Sequence, residues 1–113
     1  MEREVALNAK FWVSQSGNEP VREWLLDLSR DDRRLVGQTI MTVQYRWPLG
    51  MPTVRKMEAD LWEVRCHLTD GKIARVLFTI FEGDMVLLHG FVKKSQKTPK
   101  DDLHLAIRRM GNG

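Results

Sequence analysis

The sequence predicts an α+β domain, an antiparallel sheet of about four strands with two helices before most of it and one after it. Two helical apolar stripes fall in the first half of the chain, and three strand-like runs joined by short turns fall in the second. A last helical stripe closes the chain. Helices grouped outside a run of strands, instead of alternating with them, indicate segregated layers and not a doubly wound parallel sheet.

The elements follow in order. Val5 to Val13 mixes apolar and polar residues and stops at Ser14-Gln-Ser-Gly17, which predicts a first strand. Pro20 suits the first position of a helix, and Val21, Trp24, Leu25 and Leu28 recur at i, i+3, i+4 and i+7 as one stripe. Ser29 with Asp32 three residues on resembles a capping box. Val36, Ile40, Val43 and Trp47 then carry a second helix to about Arg46, ahead of Pro48-Leu-Gly-Met-Pro52. Strands are expected at Leu61 to Leu68, Ile73 to Phe81 and Met85 to Lys93. A final helix over Lys100 to Met110, opened by Thr98, Pro99 and Asp101-Asp102, presents Leu103, Ala106, Ile107 and Met110 to the sheet.

The alternation within the strands also predicts register, because residues paired across an antiparallel ladder share a face. A three-residue Thr69-Asp-Gly71 turn sets Trp62 against Phe78, Val64 against Val76 and Cys66 against Ala74 on one apolar face. A similar Glu82-Gly-Asp84 turn sets Phe78 against Leu88, Val76 against Gly90 and Arg75 against Phe91, and places Val86, Leu88, Gly90 and Val92 together. On the other face Arg65 then lies opposite Arg75 and Arg75 opposite Phe91, with Glu63, His89 and Lys93 nearby. This second face is expected to be open, so that Arg75 can be removed without harm to the fold and Phe91 can stack on a base. Facing arginines repel, and an anion between them would offset that.

At 113 residues the chain is one domain, 1–113. It is 42% hydrophobic and 29% charged with few Gly and Pro, which excludes disordered, collagen-like and coiled-coil classes. The single cysteine, Cys66, forms no internal disulfide and reads as an inert core thiol. The first residues show no secretory pattern and no stretch is long and apolar enough for a membrane span, so the expected location is the cytoplasm, with no membrane partner. The net charge of +3 is concentrated in the second half, where Lys93, Lys94, Lys97 and Lys100 crowd together. An anionic partner is expected there.

Cations for phosphates and a flat side chain for bases are what RNA binding needs. The candidate RNA-contacting set is Lys93, Phe91, Lys97, Lys56 and His89. The bland reading of the same face is a solvated surface, with His67 and His89 as ordinary surface histidines, His104 as a helix-surface residue and Glu63 as a salt-bridge partner. Three scattered histidines and one cysteine offer no metal-ligand spacing, and phosphate-loop, dinucleotide and nucleophile-elbow motifs are missing, so neither metal nor cofactor is expected.

The run Arg55-Lys-Met-Glu-Ala-Asp-Leu-Trp-Glu-Val-Arg65, followed by Ala74-Arg-Val-Leu-Phe78 and Val86-Leu-Leu-His-Gly-Phe-Val-Lys-Lys-Ser-Gln-Lys-Thr-Pro99, resembles the phage-derived HigB-like branch of the RelE/ParE toxin superfamily. Ser16-Gly17 and Pro20-Val-Arg-Glu-Trp-Leu25 resemble its N-terminal half. The resemblance implies a RelE-like fold and a toxin of a type II toxin-antitoxin pair. Many such toxins cut messenger RNA in the ribosomal A site without metal, whereas ParE-like members inhibit gyrase. It further implies that Arg75 contacts the scissile phosphate and that Lys93-Lys94 protonate the leaving oxygen. Where RelE has two lysines this chain has Leu61 and Glu63, and His104 lies beside the position of a base-stacking tyrosine. The candidate catalytic residues are therefore Arg75, Arg65, Lys94, Glu63 and His104. The implied partners are a helix-turn-helix antitoxin, the ribosome and mRNA. A non-enzymatic gyrase inhibitor or RNA-binding module on the same fold is the alternative.

Overall fold

A computed structural model of the chain describes residues 4–93 and 97–111. Strand β1 (Asn8–Phe11) leads into helices α1 (Pro20–Asp27) and α2 (Arg30–Arg46). Strands β2 (Val54–Glu58), β3 (Leu61–His67), β4 (Ile73–Phe81) and β5 (Asp84–Lys93) follow, and α3 (Lys100–Gly111) completes the described fold. The sheet order is β1-β5-β4-β3-β2. The class is α+β with the expected helices, but the sheet has five strands and is mixed, because β1 runs parallel to β5. β2 escapes the sequence pattern because it is a short edge strand, Val-Arg-Lys-Met-Glu, whose charges an exposed edge tolerates. The first strand pairs only over Asn8–Phe11, well inside the expected Val5 to Val13.

The β3–β4 hairpin has the expected register: Trp62 pairs with Phe78, Val64 with Val76, Arg65 with Arg75 and Cys66 with Ala74. Its turn is closed by the Leu68 amide donating to the Lys72 carbonyl at 2.8 Å, with Asp70 and Gly71 both left-handed (φ 58° and 71°). The β4–β5 hairpin differs. Phe81 pairs with Asp84 across a two-residue turn, Glu82-Gly83, whose φ values of 49° and 82° match the hand of turn that a twisted hairpin favours. A bulge then lets Leu77 pair with His89 and Phe78 with Leu87, leaving Leu88 as the extra residue. Gly90 and Val92 keep their expected side, whereas Val86 and Leu88 turn to the opposite face and Met85 and Leu87 replace them.

Each face of the sheet is covered. α1 and α2 pack on one side, where Val36, Ile40 and Val43 meet Val64, Val76 and Phe78. There Trp47 stands edge-on to Trp62 and Phe78 at 5.3 and 5.8 Å, and Trp62 stacks on Phe78 at 6.0 Å. α3 covers the other side, burying Leu61, Leu77, Leu88 and Ala106 completely. The face expected to be open is therefore roofed along part of its length.

Two contacts fix α1 and α2. Trp24 of α1 packs against Gly90 of β5, so that a β-carbon there would come within 2.4 Å of the indole ring. At the start of α2, Ser29 Oγ accepts from the Asp32 amide at 3.1 Å, as a cap should. The Asp32 carboxylate does not complete a capping box. It accepts instead from the Thr69 amide (2.9 Å), the Thr69 hydroxyl (2.8 Å) and Lys72 (3.0 Å), joining the helix to the β3–β4 turn. These hydrogen bonds, the Thr69 amide foremost, hold its carboxyl at about 2.

Gly90→Ala should lower stability by roughly 1 to 3 kcal/mol in denaturant melts through overpacking, with Trp24→Ala in the same chain removing most of the added penalty. Asp32 has a lowered folded-state pKa, so its contribution is complete above the unfolded value near 3.8 and lost as pH falls towards 2. Asp32→Asn should melt several degrees lower at neutral pH, and the gap to wild type should narrow as thermal melts are taken down through that window.

Candidate functional site

At the β2–β3–β4 end of the α3 face, side chains from four strands converge on a pocket of about 200 Å³. Register brings them there: Arg55 of β2 pairs with Glu63 of β3, Arg65 with Arg75 of β4, and Arg75 with Phe91 of β5, one pleat from Lys93. Arg55, Arg65, Arg75, Lys93 and Glu63 line the pocket, with Met51, Pro52 and Thr53 forming its wall. It holds four cations and one carboxylate.

Glu63 is 1% exposed and Arg75 6% exposed. Arg75 Nη1 donates to Glu63 Oε1, and the Thr98 hydroxyl, from the turn before α3, donates to Glu63 Oε2. Both carboxylate oxygens are thus occupied. The Nε groups of Arg65 and Arg75 are buried and bond to nothing among the described residues. A buried donor without an acceptor is costly, and two of them beside an excess of positive charge suit an anion with several oxygens. Partial burial, then the neighbouring Arg75 and Arg65, lower the pKa of Lys93, against a smaller opposing pull from Glu63.

The remaining candidates are scattered. His89 Nε2 lies 2.6 Å from an Asp102 carboxylate oxygen of α3, and its ring stacks on Phe91 at 5.6 Å. Phe91 is half-buried against the second core, so it is a packing residue under α3 and not an open platform for a base. Lys56 pairs with Trp62 and shares the α1–α2 side, facing away from the pocket; its neighbour Arg55 is the residue that enters. Lys97 and His104 are exposed and do not line the pocket. Lys94 lies outside the described residues. Cys66 is buried, and loss of solvent pushes its thiol up to about 12, which fits an inert core group.

Sequence reasoning missed Arg55 and Thr98. The signal for Arg55 was its place in the Arg55–Arg65 run, but its facing direction depends on β2, which the pattern did not reveal. Thr98 was read as a helix opener, and nothing local points it at Glu63, 35 residues away.

Because Arg75 is buried against a carboxylate, the expectation that it can be removed without harm is corrected. Arg75→Ala should cost about 3 to 5 kcal/mol in denaturant melts, since it strands the Glu63 charge. Arg65→Ala, which leaves that pair in place, should melt within about 1 kcal/mol of wild type. Equal stability of the two variants would contradict the assignment.

A family model described as phage-derived protein Gp49-like (DUF891) matches residues 23–111, which includes every residue lining the pocket. No curated protein matches the chain. With that match spanning most of its length, the chain belongs to the phage-derived Gp49-like family, a family of the RelE-like toxin type found in toxin-antitoxin pairs.

Proposed function

We propose that this toxin is a metal-independent endoribonuclease that cuts mRNA on the ribosome and is held in check by a helix-turn-helix antitoxin. The convergence of Arg55, Arg65, Arg75 and Lys93 on one pocket, with a single fully engaged carboxylate among them, carries this reading.

RNA cleavage without metal proceeds by attack of a ribose 2′-oxygen on the adjacent phosphorus. The bond to the 5′-oxygen breaks and a 2′,3′-cyclic phosphate forms. Negative charge grows on the phosphoryl oxygens, and guanidinium groups, always charged and offering parallel donors, stabilise it best. Arg65 and Arg75 take that role, with Arg55 drawing in the neighbouring backbone. Glu63 is a positioning residue: with both oxygens engaged it aims Arg75 and ties down the turn before α3 through Thr98. Lys93 is the lining group that can give up a proton, its pKa lowered by partial burial and by Arg75 and Arg65 beside it. Its ammonium gives a proton to the departing 5′-oxygen, while the 2′-hydroxyl proton passes to solvent water, so that the attacking oxygen loses one proton and the leaving oxygen gains one. In this reading His104, outside the pocket, transfers no proton. A site so short of bases relies on the ribosome to hold the message near attack geometry, an effect worth on the order of 7 kcal/mol.

Purified protein added to ribosomes translating a defined message should yield discrete cuts ending in cyclic phosphate. Arg65→Ala, melting like wild type, should lose at least about a hundredfold in rate, the size of effect seen on removing one charge-stabilising donor. A folded wild-type protein that never cuts translated message would overturn the nuclease reading in favour of gyrase inhibition or simple RNA binding.

A further inference from the structure

At the far end of the α3 face lies a second pocket that shares no lining residue with the first. It occupies about 560 Å³ between the last turn of α3 and the ends of β4 and β5 nearest their turn, with Ile80, Val86, Leu88 and Met110 on its walls and Phe81, 64% exposed, at its rim. Thr79 and the exposed Asp60 also line it, and Asp60 takes part in none of the ion pairs found among the described residues, with Arg109 or any other cation. That volume falls within the range of roughly 300 to 1,000 Å³ common for small-molecule sites, and the largely apolar wall with few polar groups is their usual chemistry.

Two polar groups in this apolar setting stand out, one without any acceptor and one without an anionic partner among the described residues. Trp12 lines the pocket, and its indole Nε1 is buried and bonds to nothing among the described residues. Arg109 also lines it, with its guanidinium 5.1 Å from the centre of the Trp12 ring and Nη1 donating to the Leu88 carbonyl at 2.7 Å. Arg109 takes part in none of the ion pairs found among the described residues. Burial, and then Arg108, lower its pKa. A cation partly stripped of water beside an orphaned donor lacks the same thing the donor lacks, an anionic acceptor.

We propose that this pocket binds a free amphiphilic carboxylate, a small molecule with an apolar body and one carboxyl group, whose carboxylate pairs with Arg109 and accepts from Trp12 Nε1 while its body fills the apolar wall. The proposal is independent of the nuclease reading, since it uses neither the basic pocket nor RNA.

Octanoate and 1-octanol, which share an apolar body and differ in charge, test it by calorimetric titration of the whole protein. Octanoate should bind at one saturable site with a dissociation constant below about 1 mM, and at least roughly tenfold tighter than octanol. Arg109→Met should weaken octanoate by about tenfold and leave octanol unchanged, while Arg65→Ala should leave both unchanged. Trp12→Phe, which keeps an aromatic ring and removes Nε1, gives a second reading should Arg109→Met not fold, with octanoate weakened and octanol unaffected. No saturable octanoate binding, equal affinity for octanol, or indifference of octanoate to the folded variants would each overturn the proposal.

Discussion

Glu63 lies buried beneath four cationic side chains, and the candidate site depends on that one negative charge. A carboxylate taken out of water needs donors for its oxygens, and Glu63 has them in Arg75 and in Thr98. Arg75 in turn faces Arg65 across the ladder, a pairing that costs energy wherever nothing negative lies close. Glu63 makes the arrangement tolerable but does not neutralise it. The excess charge and the two orphaned Nε groups are the features on which the proposed binding of phosphate rests.

α3 couples the two ends of this face. Its leading turn is tied to Glu63 through Thr98 and to β5 through Asp102 and His89, and its last turn is tied to β5 through Arg109. Between these points its apolar stripe covers Leu61, Leu77 and Leu88. The basic pocket is left beyond the first turn of the helix and the apolar pocket beneath its last. Trp12 Nε1 repeats part of the basic pocket's pattern on an apolar ground, a buried donor without an acceptor among the described residues beside the Arg109 guanidinium.

The faces of β3 and β4 were legible in the sequence because alternation and the parity of one short turn sufficed: Arg65 against Arg75 followed from those alone. The β5 faces were only half legible. A bulge at Leu88 reverses every side chain between it and the turn, and Glu82-Gly-Asp84 reads equally well as a three-residue or a two-residue loop. β2 was hidden by its charges, and with it the inward direction of Arg55. Exposure of the second face was misjudged because arginines and glutamate suggest solvent, although Leu61, Leu77 and Phe91 on the same face already required a cover and the last helix had an apolar stripe to supply it. Burial of Arg75 is a consequence of long-range packing that no local pattern encodes.

Thermal melts of Glu63→Gln with and without inorganic phosphate measure the central claim most directly, because the substitution keeps the shape of the side chain and removes its charge. If one buried carboxylate holds together a site built for an anion, the variant should melt well below wild type, and phosphate should restore part of the loss while Arg65→Ala in the same chain weakens that rescue. A variant as stable as wild type and indifferent to phosphate would contradict the account.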